Sequence, residues 1–179
     1  MLDSTLKKRL FIFCVIIFSC VAIKIAFLSA GSDSKCPFCD TNVLRKQVFY
    51  QDDLVMGLCD YKPIYPGHCL VISRRHIRGF EELNDDEFMA ASRLMKKINQ
   101  VIQKKFGSCV YIVLQKNGKG VQAVPHVHFH YIPKKDTDSV FSGIGYLWRF
   151  LTSWFRSPMS DEELAACVAM MKKGMADVT

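Results

Sequence analysis

The sequence predicts a body that mixes short β-strands with two long helices, and three observations carry that expectation. Five short runs rich in Val, Ile, Tyr and Phe are separated by turn signals. Two segments open on a helix-capping pattern, and the first continues with apolar residues at helical spacing. Finally, His126-Val127-His128-Phe129-His130 alternates histidine with apolar side chains and runs on into Tyr131-Ile132-Pro133. Successive side chains on a strand point to opposite faces, so the three histidines share one face while Val127, Phe129 and Tyr131 line the other, buried one. Three of the chain's five histidines fall within these five residues. A structural role explains one buried histidine well, and three in register poorly.

Taken in order, residues 10–30 (LFIFCVIIFSCVAIKIAFLSA) form an apolar run behind Lys7-Lys8-Arg9, with Lys24 as its only charge. The run meets the roughly 20-residue requirement for a membrane span. It reads as a single-pass N-terminal anchor or as a signal peptide, although no clear A-x-A cleavage site follows. Residues 31–35 are a polar linker, and the globular body begins at Cys36. Val48–Tyr50 and Leu54–Asp60 read as strands joined by a turn at Gln51-Asp52-Asp53. Pro66-Gly67 marks a turn before a strand over His68–Ser73. Asn84 with Glu87 is a capping-box pattern; Phe88, Ala91, Leu94, Ile98 and Ile102 then recur at helical spacing as core residues, and Gly107 closes the helix. Cys109–Gln115 is a further strand, followed by the flexible Lys116–Gly120 and then the histidine strand. Val140–Phe155 holds six aromatic residues and reads as a segment packed on the body or as an interfacial membrane contact. Ser160-Asp161-Glu162-Glu163 opens a last helix that runs to about Met175.

The chain of 179 residues is long enough for one domain with a proper core. Of its formal charge of +7, residues 1–30 contribute +3, so the remainder carries +4. No Lys/Arg stripe interleaved with aromatics stands out, so no polymeric nucleic acid is expected, whereas a small anionic ligand such as a nucleotide suits the balance. Eight cysteines are present. Cys59, Cys69, Cys109 and Cys167 lie in or beside apolar stretches and read as buried free thiols. Cys36-Pro37-Phe38-Cys39 differs, because two thiols at that spacing mean zinc or a redox couple.

All five histidines lie beside strands or turns that could converge. An imidazole nucleophile needs its neutral form, a partner for its second nitrogen, and donors around the phosphoryl oxygens. A packed histidine strand supplies the first two, and a Gly-containing loop can bring backbone N–H groups near phosphate. Metal binding is the competing reading, since histidines at alternate positions are good zinc ligands.

From Cys36 to about Pro133 the chain resembles the histidine triad (HIT) family of nucleotide hydrolases and transferases. The likeness is carried by Asp60 with Lys62-Pro63-Ile64-Tyr65-Pro66-Gly67-His68, by Arg74-Arg75-His76, by the helix from Asn84, and by Gln122-Ala123-Val124-Pro125 ahead of the triad. The resemblance implies an α+β domain over residues 36–137, with a five-stranded antiparallel sheet and two main helices. Residues 138–179 then form an aromatic segment and a helix packed on it. Two subunits are expected to join as a homodimer with a continuous ten-stranded sheet, which also covers strand edges.

Carried over residue by residue, the resemblance implies that His128 attacks the α-phosphate of a purine nucleotide to give a covalent nucleotidyl-histidine that water hydrolyses. The substrate is expected to be of phosphoramidate or dinucleoside-polyphosphate type. His126 and His130 flank the nucleophile and bond phosphate oxygens, with His68 at the same phosphate. Asp60 holds the ribose hydroxyls, Leu58 lines the base pocket, and Gln115 and Gln122 sit around the phosphate and leaving group. A zinc-binding branch of the family implies a structural Zn2+ held by Cys36, Cys39, His76 and His126. Two positions depart from the pattern: Val121 and Ala123 stand where the family has Gly and Ser or Thr, which predicts slower turnover or an altered leaving group. A second functional expectation is a catalytically weak nucleotide-binding or interaction module tethered to a membrane through residues 10–30. A membrane-associated location follows from that run; zinc thiolates and nucleotides favour the cytoplasmic face, and the basic flank favours export of the body.

Overall fold

The computed structural model describes residues 36–107, 109–119, 121–135 and 156–178, together with positions 145, 149, 152 and 153. A single 3-10 turn, Pro37–Cys39, leads into a short helix, α1 (Thr41–Gln47), capped by the Asp40 carboxylate, which accepts the Asn42 N–H at 2.8 Å. The sequence reading does not anticipate α1, because seven residues with only Val43 and Leu44 as aliphatics carry too little periodicity. Strands β1 (Val48–Gln51) and β2 (Val55–Cys59) form the expected hairpin. Asp52 builds its turn by accepting the Leu54 and Val55 N–H groups, both at 2.8 Å. Before β3 (Cys69–Ser73), Gly67 adopts φ 86°, and a Cβ there would meet the Ile102 side chain at 2.6 Å. Only glycine makes that turn so close to the helix.

Helix α2 (Asp85–Phe106) opens on the capping box expected from Asn84 and Glu87 and ends at Gly107, φ 82°. Strands β4 (Cys109–Gln115) and β5 (His128–Lys135) follow, and α3 (Asp161–Ala176) opens on a second capping box of Ser160 and Glu163. The five strands form one antiparallel sheet in the order β1-β2-β3-β5-β4, the α+β architecture expected.

The two faces of the sheet have different tasks. Val55, Cys59, Cys69, Val71, Phe129 and Tyr131 face the helices and form the main core with Leu94, Ile98 and Ile102 of α2 and Leu164, Val168 and Met171 of α3. Each such aliphatic side chain contributes about 1.5–3 kcal/mol by leaving water. Cys167 of α3 lies against Cys59, Sγ to Sγ 2.8 Å, and both are free thiols. On the opposite face Met56, Leu58, Leu70 and Ile72 pack under Phe38. The register pairs Leu70 with His130 and Ile72 with His128, so the histidines stand on this second face.

Two expectations change. Strand β5 begins at His128, and His126 and Val127 precede it in a bent segment where the Val127 N–H donates to the Ile77 carbonyl at 2.7 Å. The membrane location is also corrected: among the described residues, no helix is long and apolar enough to cross a membrane. The 22-residue α2 has the length, but its charged residues, such as Asp85, Asp86, Lys96 and Lys97, exclude it. The apolar run 10–30, and nearly all of the aromatic segment 140–155, lie outside the described residues.

Candidate active site and metal cluster

His128 is buried on the second face of the sheet, with the edge of the Phe38 ring against it. Its Nδ1 lies 2.6 Å from the His126 carbonyl oxygen. A carbonyl only accepts, so Nδ1 carries the proton and Nε2 keeps its lone pair. Burial lowers the His128 pKa and keeps the ring neutral, although the hydrogen bond to His126 opposes the shift. The bend at residues 126–127 is what turns that carbonyl back onto the ring two residues ahead.

His68 and His130 form a second chain of fixed tautomers. The Ile64 N–H donates to His68 Nδ1 at 3.2 Å, so the His68 proton sits on Nε2. That Nε2–H points at His130 Nδ1, 3.0 Å away, and at the Asp60 carboxylate, 3.4 Å away. His130 Nδ1 therefore accepts, and its Nε2 carries a proton available to a ligand. Burial, followed by the neighbouring His68 and His128, pushes the His130 pKa down to about 2. His68 is lowered too, chiefly by burial and against the pull of Asp60. Asp60 is anchored by the Lys62 N–H at 2.9 Å, which leaves its other oxygen facing the imidazoles. The site thus offers one lone pair, on His128, beside one proton, on His130, with the two ring centroids 5.0 Å apart.

His126 serves a different cluster. Its Nε2 lies 2.8 Å from the Ser73 carbonyl, so the proton is there and Nδ1 is a bare acceptor. That Nδ1 faces Cys36 Sγ at 3.6 Å and Cys39 Sγ at 3.7 Å, while His76 Nδ1 is 3.3 Å from Cys39 Sγ. The four ligand atoms all lie within 4.8 Å of one another. Tetrahedral zinc, with Zn–S of about 2.3 Å and Zn–N of about 2.0–2.1 Å, sets sulfur and nitrogen about 3.6 Å apart, so the donor set and its spacing fit that ion. Burial and the adjacent Cys36 sulfur push the Cys39 thiol up, a penalty that a dication would reverse. Both ring nitrogens of His126 are engaged in this cluster. Its link to His128 runs through its backbone carbonyl; of the two tasks expected of it, at the phosphate and in the zinc set, its ring is aimed at the second.

The remaining expected residues are placed as follows. Gln122 bonds protein: its amide donates to the Arg78 carbonyl at 2.9 Å and to the His126 carbonyl at 3.2 Å, and its oxygen accepts the Gly118 N–H at 3.3 Å. Gln115 donates to the Lys116 carbonyl at 2.9 Å. Leu58 is fully buried in the cluster under Phe38. Val121 is exposed, as is Ala123. Sequence reasoning missed Ser73, the Ile64 N–H and Lys116. The first two act through backbone groups that no motif displays, and Lys116 lies in a stretch that reads as solvated loop.

The family model of the HIT domain matches residues 41–137, more than half of the chain. The chain belongs to the HIT family. Among curated relatives it is 40% identical over 93 residues to a bis(5′-nucleosyl)-tetraphosphatase (asymmetrical) of Schizosaccharomyces pombe, covering 51% of each chain. It is 36% identical over 114 residues to an adenosine 5′-monophosphoramidase of the same organism, covering 63% of this chain and 76% of that one. The chain thus spans only about half the length of the first of these relatives. In fold, a HIT-like protein from Bartonella henselae superposes with a TM-score of 0.60 at 22% identity, over 80% of this chain and 98% of that one.

Proposed function

We propose that this HIT protein is a nucleotidyl hydrolase or transferase that cleaves at the α-phosphate of a purine nucleotide through a covalent nucleotidyl-His128. One observation carries the reading: the His126 carbonyl accepts a hydrogen bond from the His128 Nδ1–H and so holds the proton there, which leaves Nε2 as an unprotonated, buried nucleophile. In the first step the Nε2–phosphorus bond forms as the bond to the leaving group breaks. An amine leaving group takes a proton from solvent, while His130 Nε2–H donates a hydrogen bond to a phosphoryl oxygen. In the second step water attacks phosphorus as the P–Nε2 bond breaks. The bond's electron pair returns to His128, the water's proton passes to solvent, the nucleoside monophosphate departs, and His128 returns to the neutral tautomer. Asp60, beside His68 and His130, suits the two adjacent hydroxyls of a ribose. The named relatives, which act on dinucleoside tetraphosphate and on adenosine phosphoramidate, support this substrate range.

Cys36, Cys39, His76 and His126 would hold a structural Zn2+, which ties the segment before α1 to the loop after β3 and to the start of β5. The homodimer would form at β4. This strand lies at the edge of the sheet and exposes Val110, Tyr111, Ile112 and Val113, and pairing it with a second copy covers both the apolar patch and the free edge.

The test is a single-turnover incubation of the full chain with α-labelled adenosine phosphoramidate. Acid-labile label on the protein that disappears in His128→Asn is the expected result. Product formed without trapped label, or label that survives the substitution, overturns the covalent route.

A further inference from the structure

Lys116 stands one residue beyond the end of β4. The ladder pairs Leu114 with His130 and Gln115 with Phe129, so the same register continued by one residue sets Lys116 opposite His128. Opposed residues in an antiparallel pair share a face, and faces alternate along the strand. Lys116 therefore belongs to the face that bears His128 and His130, away from the helices. It is half-buried. Its charge acts on His68, His128 and His130, in each case adding to the larger effect of burial, and its own ammonium is pushed down by burial and held up by Asp60. A fixed cation is thus set among imidazoles that burial keeps neutral.

On the nucleotidyl-transfer reading, the two candidate leaving groups make opposite demands on this site. An amine leaving a phosphoramidate needs a proton, which a fixed positive charge does not supply. A polyphosphate leaves as a stable anion and needs compensating positive charge instead. As His128 Nε2 bonds to the α-phosphorus, the bond from phosphorus to the bridging oxygen breaks. Its electron pair departs on the terminal phosphate of the leaving chain, with no proton transferred. Neutral histidines and glutamines cannot balance the added charges; an ammonium can. We propose that Lys116 is a specificity-determining residue that binds the phosphate chain beyond the α-phosphate and makes polyphosphate-linked nucleotides, in preference to phosphoramidates, the substrate class of this site. This rests on the nucleotidyl-transfer reading and deepens it.

The experiment compares kcat/KM of the full chain for diadenosine tetraphosphate and for adenosine phosphoramidate in wild type, Lys116→Met and Lys116→Arg. The methionine variant is expected to lose about 100-fold on the tetraphosphate and about fivefold on the phosphoramidate, with arginine restoring most of the larger loss. Equal losses on both substrates, or none on the tetraphosphate, overturn the proposal. Calorimetric titration of ATP and AMP into His128→Asn, with and without Lys116→Met, provides an arm that needs no turnover. ATP affinity should fall about tenfold more than AMP affinity; an equal fall, or no binding of either nucleotide, overturns the proposal. If wild type turns over neither substrate while ATP preference still depends on Lys116, the nucleotidyl-transfer reading fails and the phosphate-binding assignment stands.

Discussion

His126 and His128 are two residues apart, yet they belong to two centres with opposite chemistry. His126 aims Nδ1 at two cysteine sulfurs, and its Nε2–H donates a hydrogen bond to the Ser73 carbonyl. The His128 Nδ1–H donates a hydrogen bond to the carbonyl of His126, which leaves Nε2 for a ligand. The side chains are the same, and burial lowers both pKa values. What separates them is the partner of the other ring nitrogen, which chooses the tautomer and so decides which nitrogen is left as a bare acceptor: Nδ1 toward the cysteines in His126, Nε2 in His128. The two centres meet at one atom, the His126 carbonyl oxygen, which also accepts from Gln122. On the proposed roles, this shared carbonyl would couple metal binding to the orientation of His128 through the backbone.

The sharpest way to break this comparison is to remove the nucleophile alone. His128→Asn should lower kcat/KM by about a thousandfold or more while the bound zinc, measured by atomic absorption, stays at its wild-type level. A variant that loses zinc as well would mean that the centres are not separable. Removing the other centre should do less. Cys39→Ser should abolish tight zinc binding, lower Tm, and reduce kcat/KM by about 10- to 100-fold, because the carbonyl that orients His128 is no longer held. Unchanged activity in the zinc-free protein would refute the coupling through His126.

The neutral His68–His130 pair sharpens the comparison through pH. His130 has a folded pKa of about 2 against an ordinary value of 6.5. Below 6.5 the unfolded chain takes up a proton on this ring and the folded chain does not. The pair's stability is therefore fully present above pH 6.5 and declines as pH falls from there toward 2. Unfolding free energies from urea titration at about pH 7 and about pH 5 should differ by roughly 1–2 kcal/mol more in wild type than in His130→Gln. Parallel pH slopes for the two proteins would show that the ring is not held neutral.

A smaller effect is expected in the loop that presents His76. Arg75 makes two bonds to the buried Glu87, at 2.8 and 2.9 Å, from a loop next to the metal cluster. Glu87→Gln should cost about 1.5–3 kcal/mol by denaturant titration, the size of a charge-assisted pair, with zinc retained. The smallest effect belongs to Ala123→Ser. Ala123 is exposed beside Gln122, so a restored hydroxyl should raise turnover by about twofold. No gain would mean that the phosphate lies out of its reach.

Much of the fold was legible in the sequence, for local reasons. Asn84 with Glu87, and Ser160 with Glu163, name their helix starts because capping is satisfied within one turn of chain. Gly67 and Gly107 name a turn and a helix end because positive φ favours glycine. The register of Phe129 and Tyr131 against His128 and His130 followed from the two-residue period of a strand, whereas Val127 and His126 fall before its start. Helix α1 was not legible, since its helical state rests on a single Asp40 cap and on packing against α3, distant in sequence.

By itself, then, the sequence determined the strand and helix order, the shared face of His128 and His130, and the Cys/His set able to hold a metal, because these depend on residue type and spacing alone. Which nitrogen of each histidine carries a proton was decided only by the tertiary structure. The deciding partners are backbone groups of Ile64, Ser73 and His126, and backbone groups are identical in every residue, so no pattern of side chains can reveal them. The same holds for Lys116: a lysine in a loop is an ordinary solvated cation until the β4–β5 register, continued by one residue, sets it opposite His128.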